Sequence, residues 1–139
     1  MRITEKFQVK AMDFSAAGQP SAMVKRKLKQ LGIDSSIIRK VSIATYEAEI
    51  NLVIHSYGGE IECGISPSEI MITVRDEGPG IPDVKEAMRE GFSTASDEAR
   101  DMGFGAGMGL PNMSRNADKF SIESQVGKGT VITMAFELA

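Results

Sequence analysis

Between residues 91 and 109 the chain has no apolar periodicity. Its last seven residues there, Gly103-Phe104-Gly105-Ala106-Gly107-Met108-Gly109, place glycine at every second position. Such a run cannot hold a regular helix cheaply, since each interior glycine costs about 1 kcal/mol relative to alanine. An unstructured connection this long is uncommon inside a small domain, and where it occurs it is a lid, a binding loop or a disordered segment. The chain has 139 residues, enough for one domain. The pieces on either side of the run are therefore expected to share one core.

Upstream of the run, Thr4 to Val9 alternate and read as a strand. Gly18-Gln19-Pro20-Ser21 reads as a turn carrying a helix N-cap, followed by a helix from Ala22 to Leu31 that ends at Gly32. Asp34 or Ser35 caps a longer helix reaching about Ser56, with Ile38, Val41, Ala44, Ala48 and Leu52 at helical spacing. Gly58-Gly59 stops it. Glu60 to Ser66 and Ile70 to Arg75 form a predicted hairpin around Pro67-Ser68-Glu69, and Asp83 to Arg89 a short helix. Downstream, Leu110 to Ala117 reads as a helix opening on Pro111, which suits a first turn. Lys119 to Ser124 and Thr130 to Leu138 are strands flanking Gly127-Lys128-Gly129. The order β-α-α-β-β-(lid)-α-β-β predicts an α+β domain. Its helices would lie on one face of a mixed, mostly antiparallel sheet.

Charge and cysteine usage narrow the function. The formal net charge is −3, against the basic face that nucleic-acid binding needs. The local cluster Lys25, Arg26, Lys27 and Lys29 reads as a solvated helix face. One cysteine, Cys63, excludes an internal disulfide, fits a reducing compartment and reads as a buried inert thiol. No stretch of 18 apolar residues suggests a membrane span, and residues 1–10 do not resemble a signal peptide. A cytoplasmic location is expected.

Three groups of residues have the chemistry of a nucleotide site. Glu47, Asn51 and His55 are spaced by four, forming a stripe on one helix face. A neutral amide oxygen such as that of Asn51 suits a hard ion like Mg²⁺, though the same spacing also fits a plain polar helix face. Glu49 lies about 200° around the helix from Glu47, so the two are not an acid/base pair. Asp76 shares strand parity with Ile70, Ile72 and Val74 and is expected to point inward, where a carboxylate needs donors. An adenine amino group is one such donor, and Gly78 and Gly80 would let a flat ring come close; an ordinary Asp-Glu-Gly-Pro turn is the alternative. The Gly103–Gly109 run can offer backbone N–H groups to phosphates and leads into a helix N-terminus, or it is simply a flexible loop.

Common phosphate-binding templates fail. A dinucleotide GxGxxG beginning at Gly103 needs glycine where Met108 stands, and one beginning at Gly105 needs glycine in place of Leu110. A P-loop ending at Gly127-Lys128 lacks both its first glycine, with Ile122 at that position, and its following Ser/Thr.

Taken together, Glu47-x-x-x-Asn51, Asp76-x-Gly78-x-Gly80, Gly105-x-Gly107-x-Gly109 and Gly129-Thr130 resemble the four sequence boxes of the gyrase–Hsp90–histidine kinase–MutL ATPase superfamily. They span the chain from the second helix to the last strand. At this length, and with His55 inside the first box, the chain is similar to the small serine kinases of bacterial partner switching. The strings Asn51 to Tyr57 and Glu90 to Thr94 add to that likeness.

The resemblance implies a Bergerat-type two-layer α/β sandwich with a lid over about residues 82–109, and ATP and Mg²⁺ as cofactors. Glu47 would be the general base and Asn51 the Mg²⁺ ligand. Asp76 would read adenine, with Gly80 near the ring and Thr130 supporting it, while Gly105, Gly107 and Gly109 close on the phosphates. His55, Gly78, Ile81, Thr94, Met108 and Leu110 complete the implied nucleotide set, with Arg100 as a candidate for the γ-phosphate. The implied substrate is a STAS-domain protein, with a sigma factor or a PP2C-type phosphatase as a further partner, and the chain is expected as a monomer or homodimer. The sporulation-type kinases carry a lid arginine where this chain has Gly105, which keeps open a non-catalytic, ATP-binding sequestering module. A detached histidine-kinase-type ATPase domain is the other alternative.

Overall fold

The structure, a computed structural model, describes residues 3–10, 18–55, 58–76, 109–125 and 127–138. The short helix expected over Asp83 to Arg89 and, apart from Gly109, the lid expected over about 82–109 lie outside these residues. Five strands, β1 (Ile3–Lys10), β2 (Gly58–Ile65), β3 (Glu69–Asp76), β4 (Lys119–Gln125) and β5 (Gly129–Glu137), form one sheet in the order β1-β2-β3-β5-β4. The described helices are α1 (Gln19–Gln30), α2 (Ser35–His55) and α3 (Gly109–Asn116). Every pairing among the described strands is antiparallel, where a mixed, mostly antiparallel sheet was expected. The β2–β3 and β4–β5 pairs are hairpins, antiparallel by construction, and β5 inserts beside β3 running opposite to it.

Strand alternation separates the two faces of the sheet. Ile61, Cys63, Ile70, Ile72, Val74, Ile132, Met134 and Phe136 are all at most 5% exposed and turn to one side. The other side carries Lys6, Glu60, Glu62 and Arg75, where Arg75 Nη1 lies 3.2 Å from Glu60 and 3.1 Å from Glu62. These exposed ion pairs contribute little to stability. The apolar face is covered by α2, whose predicted stripe of Ile38, Val41, Ala44, Ala48 and Leu52 is buried against it. Both α1 and α3 pack on α2. Small residues at 44 and 48 allow the helix to approach the sheet closely.

Helix ends are where sequence and structure differ most. Asp34 caps α2 as expected, its Oδ1 accepting from the Ser36 backbone N–H at 2.8 Å, and these bonds hold its carboxyl below the usual range. The first helix, in contrast, begins at Gln19 rather than Ala22, and no local side chain caps it. Its N-terminus is capped by Glu49 of α2, which accepts from the backbone N–H groups of Gly18 and, at 3.3 Å, Ser21. Only 1% of Glu49 is exposed, and burial raises its carboxyl pKa against the lowering effect of these bonds. A carboxylate at a helix N-terminus satisfies otherwise orphaned donors and faces the positive end of the helix dipole. Glu49 thus fastens α1 to α2 across 31 residues of sequence.

Glu49→Ala should lower the unfolding free energy by about 2 kcal/mol, the cost of leaving two buried N–H groups without an acceptor. Glu49→Gln, which retains one acceptor oxygen, should lose less. Urea denaturation of the three proteins measures this, and an alanine variant as stable as wild type would refute the capping role.

Candidate functional site

Asp76 ends β3, the central strand, with the inward parity read from the sequence. It is half-buried. A protein donor meets it: the Thr130 backbone N–H donates to Asp76 Oδ1 at 2.9 Å. The carboxylate thus has a donor from the protein itself, beside which an adenine amino group is a further candidate. The family resemblance placed Thr130 at this end of the site, but its bond to Asp76 depends on the register bringing β5 beside β3, a tertiary property. Thr130 is itself buried, and its Oγ1 lies 2.8 Å from Ser124 Oγ on β4. The hydroxyl pair spans the hairpin next to Asp76.

Two glycines flank Asp76 on the neighbouring strands. A Cβ on Gly129 would lie 2.3 Å from the Asp76 carbonyl oxygen and 3.1 Å from its Oδ1, and Gly129 has φ +121°. On the other side, a Cβ on Gly59 would lie 2.1 Å from the Arg75 carbonyl oxygen and 2.9 Å from the Asp76 Cα. Gly59 had read only as a helix breaker, whereas it is the register partner of Asp76. This narrow cradle brings the backbone of three strands to the Asp76 carboxylate without side-chain bulk. Flat-ring binding requires such close approach.

The second half of the site lies on α2. Glu47 and Asn51 occupy successive turns, both half-buried, while Ala44, Ala48 and Leu52 face the sheet. Burial pushes the Glu47 carboxyl up, opposed by a hydrogen bond from the Asn112 side chain of α3. Sequence reasoning did not single out Asn112. Its only signal was its place three residues after Gly109, on the helix that the glycine run opens. Glu49, on the far side of α2, is occupied with capping α1, so the separation of the two acids holds in the structure.

His55 is the last residue of α2 and Gly109 the first of α3. Leu110, expected beside the nucleotide, is packed into the core at 7% exposure, with Met113 at 0%. The remaining expected residues, Gly78, Gly80, Ile81, Thr94, Arg100, Gly105, Gly107 and Met108, lie outside the described residues. Among the described residues, no three His, Cys, Asp or Glu side chains cluster to hold a metal. The donors present fit a hard ion carried largely by phosphates, with Asn51 supplying a neutral oxygen.

A two-layer α+β domain with an acid and an amide one turn apart on its central helix, and an aspartate in a glycine cradle at the end of its central strand, defines a nucleotide-binding module. The family described as histidine kinase-, DNA gyrase B- and HSP90-like ATPases matches residues 36–139. The chain belongs to that family of ATPases. It is 34% identical over 110 residues to the serine/threonine-protein kinase RsbT of Bacillus subtilis, covering 75% of each chain. It is 38% identical over 102 residues to the anti-sigma F factor of a Thermoanaerobacter species, covering 70% of this chain and 68% of that one. Among solved structures it resembles the mycobacterial sensor histidine kinase MprB, with TM-score 0.54 and 15% identity over 97% of both chains, a likeness of fold. Among the described residues no helix is long and apolar enough to cross a membrane.

Two measurements test this geometry. Gly129→Ala places a Cβ against backbone at a positive φ, so it should destabilise the domain by about 2 kcal/mol or more and weaken ATP binding at least tenfold by calorimetry. Normal affinity would refute the cradle. Glu47→Gln tests the raised carboxyl. A folded-state pKa above the unfolded value means that the associated stability is present below about pH 4 and is lost as pH rises through the folded pKa. Glu47→Gln should therefore melt higher than wild type at pH 7.5, with the gap closing as pH falls towards 4. A lower melting temperature at neutral pH would contradict the raised carboxyl.

Proposed function

We propose that the chain is an ATP- and Mg²⁺-dependent protein serine/threonine kinase of bacterial partner switching, phosphorylating a STAS-domain antagonist protein and thereby regulating a sigma factor or a phosphatase. The observation that carries this is the half-buried Glu47 one turn before Asn51, in an ATPase-family chain similar to a named serine/threonine kinase. Glu47 is the base: its carboxylate takes the serine hydroxyl proton as the hydroxyl oxygen bonds to the γ-phosphorus and ADP leaves. Burial raises the Glu47 carboxyl and so makes the carboxylate more basic. Asn51 would hold Mg²⁺ against the phosphates, and the ion would supply charge neutralisation. Asp76, fixed by Thr130, selects adenine through its amino group. Phosphoryl transfer has a loose transition state, so positioning and electrostatics supply most of the acceleration. A cytoplasmic location follows from this reading.

A second reading, an ATP-binding module that sequesters its partner without phosphorylating it, is favoured by one specific residue. Gly105 stands where sporulation-type kinases have a lid arginine, and the role of Arg100 as its replacement belongs to the kinase reading alone.

Incubation with [γ-³²P]ATP and a STAS-domain protein decides between them. Wild type should label serine or threonine on that protein; Glu47→Ala should lose about 10²-fold or more in rate, and Asn51→Ala should lose Mg²⁺-dependent transfer. Wild-type labelling no faster than that of Glu47→Ala sinks the kinase reading. ATP-dependent capture of the partner without ADP release would establish the sequestering one.

A further inference from the structure

The row of α2 that carries Glu47 and Asn51 does not begin at Glu47. Residues four apart lie on successive turns of one helix face, so Ile43 and Arg39 continue the same row toward the start of α2. From Arg39 to Glu47 the row runs about 12 Å along the helix axis. Ile43 is 36% exposed, and Tyr46, beside it on the next turn, is 38% exposed. Two large apolar side chains are thus left open to water on the outer side of a helix whose inner side is enclosed. Tyr46 reaches the start of α1, where its Cε1 lies 3.6 Å from the position a Cβ on Gly18 would take.

Positive charge frames this patch. The structure divides the basic cluster of α1 between two flanks. Lys27 turns to the edge strand β1, with its Nζ 3.7 Å from Glu5. Lys25 and Lys29, each two residues and so about 200° around the helix from Lys27, are exposed on the opposite flank. Arg39 is exposed on α2, the helix against which α1 packs. Among the described residues, none of these three cations is in an ion pair, whereas Lys6, Lys27 and Arg75 all are. In a chain of net charge −3, this face is left basic.

An apolar centre with a basic rim fits an acidic protein surface. A symmetric pair of copies would set the basic face against itself. Insertion into a bilayer needs apolar side chains that stand clear of the helix, and Ile43 and Tyr46 are each nearly two-thirds covered. The row also leads directly to Glu47, the carboxylate that receives the acceptor's proton in the kinase reading. We propose that Arg39, Ile43 and Tyr46 of α2, with Lys25 and Lys29 of α1, dock the phosphoacceptor protein through an acidic surface beside its target serine or threonine. This rests on the kinase reading given above. Apolar contact at Ile43 and Tyr46 holds the complex, while the cations speed the encounter and orient it. None of the five residues belongs to the nucleotide set, so docking is separable from ATP binding.

The test compares wild type with Lys29→Glu/Arg39→Glu and with Ile43→Ala, using a STAS-domain protein as the acceptor. All three positions are on the surface, so both variants should melt within about 2 °C of wild type and bind ATP with unchanged affinity by calorimetry. The charge-reversal variant should raise KM for the acceptor about tenfold or more, with kcat at saturation within about twofold. Its association rate in surface plasmon resonance should fall about tenfold and lose most of its salt dependence. Ile43→Ala should instead speed dissociation about tenfold at an unchanged association rate. Unchanged KM and binding rates in both variants, alongside normal phosphoryl transfer, would overturn the docking surface and leave the kinase reading standing. If wild type binds the acceptor without phosphorylating it and both variants bind more weakly, the kinase reading fails while the docking surface stands. Variants that keep the acceptor but lose binding to phosphatidylserine vesicles would make this face a membrane contact and refute the proposal.

Discussion

The structure depends on the burial of α2 against the inner face of the sheet. Five apolar positions of α2, Ile38, Val41, Ala44, Ala48 and Leu52, meet the inner residues of β2 and β3, all nearly or fully removed from water. At about 25 cal/mol per Å² of apolar surface this contact is the dominant favourable contribution to the fold. It also fixes function. Once that stripe faces inward, Glu47 and Asn51 are held half-buried at its margin. The same packing provides the platform on which α1 and α3 lie.

Two carboxylates two residues apart on α2 show how one helix serves structure and chemistry together. Glu49 is fully enclosed and given to the N-terminus of α1, with its hydrogen bonds opposing the cost of burial. Glu47 is only half-buried, its carboxyl raised by burial and lowered by the Asn112 side chain of α3. Both carboxyl groups are raised by burial, and their surroundings separate their roles. The first has its acceptor sites filled by backbone and is inert.

Much of the architecture could be read from residue order. Helix α2, the β2–β3 hairpin and the β4–β5 hairpin fall within a few residues of their predicted bounds, because each has its own periodicity and its own turn chemistry. The start of α1 was misread by three residues because its cap comes from a distant helix. The inward orientation of Asp76 followed from the parity of Ile70, Ile72 and Val74, while its bond to Thr130 did not, since nothing local specifies that β5 lies beside β3. Gly59 looked like a breaker and is a register partner of Asp76; Asn112 looked like an ordinary helical residue and faces Glu47. Both depend on a neighbour that only the folded chain supplies.

By itself, the sequence determined the element types, the α+β class, the stripe that places Glu47 and Asn51 on one helix face, and the inward turn of Asp76. These are properties of period and spacing, which a chain carries before it folds. Only the tertiary structure decided the strand order β1-β2-β3-β5-β4, the glycine cradle of residues 59 and 129, and which acid would be a cap and which would meet an amide. Those outcomes arise where separate segments meet. There, hydrogen-bond donors and excluded volume come from residues tens of positions away, and no local pattern encodes them.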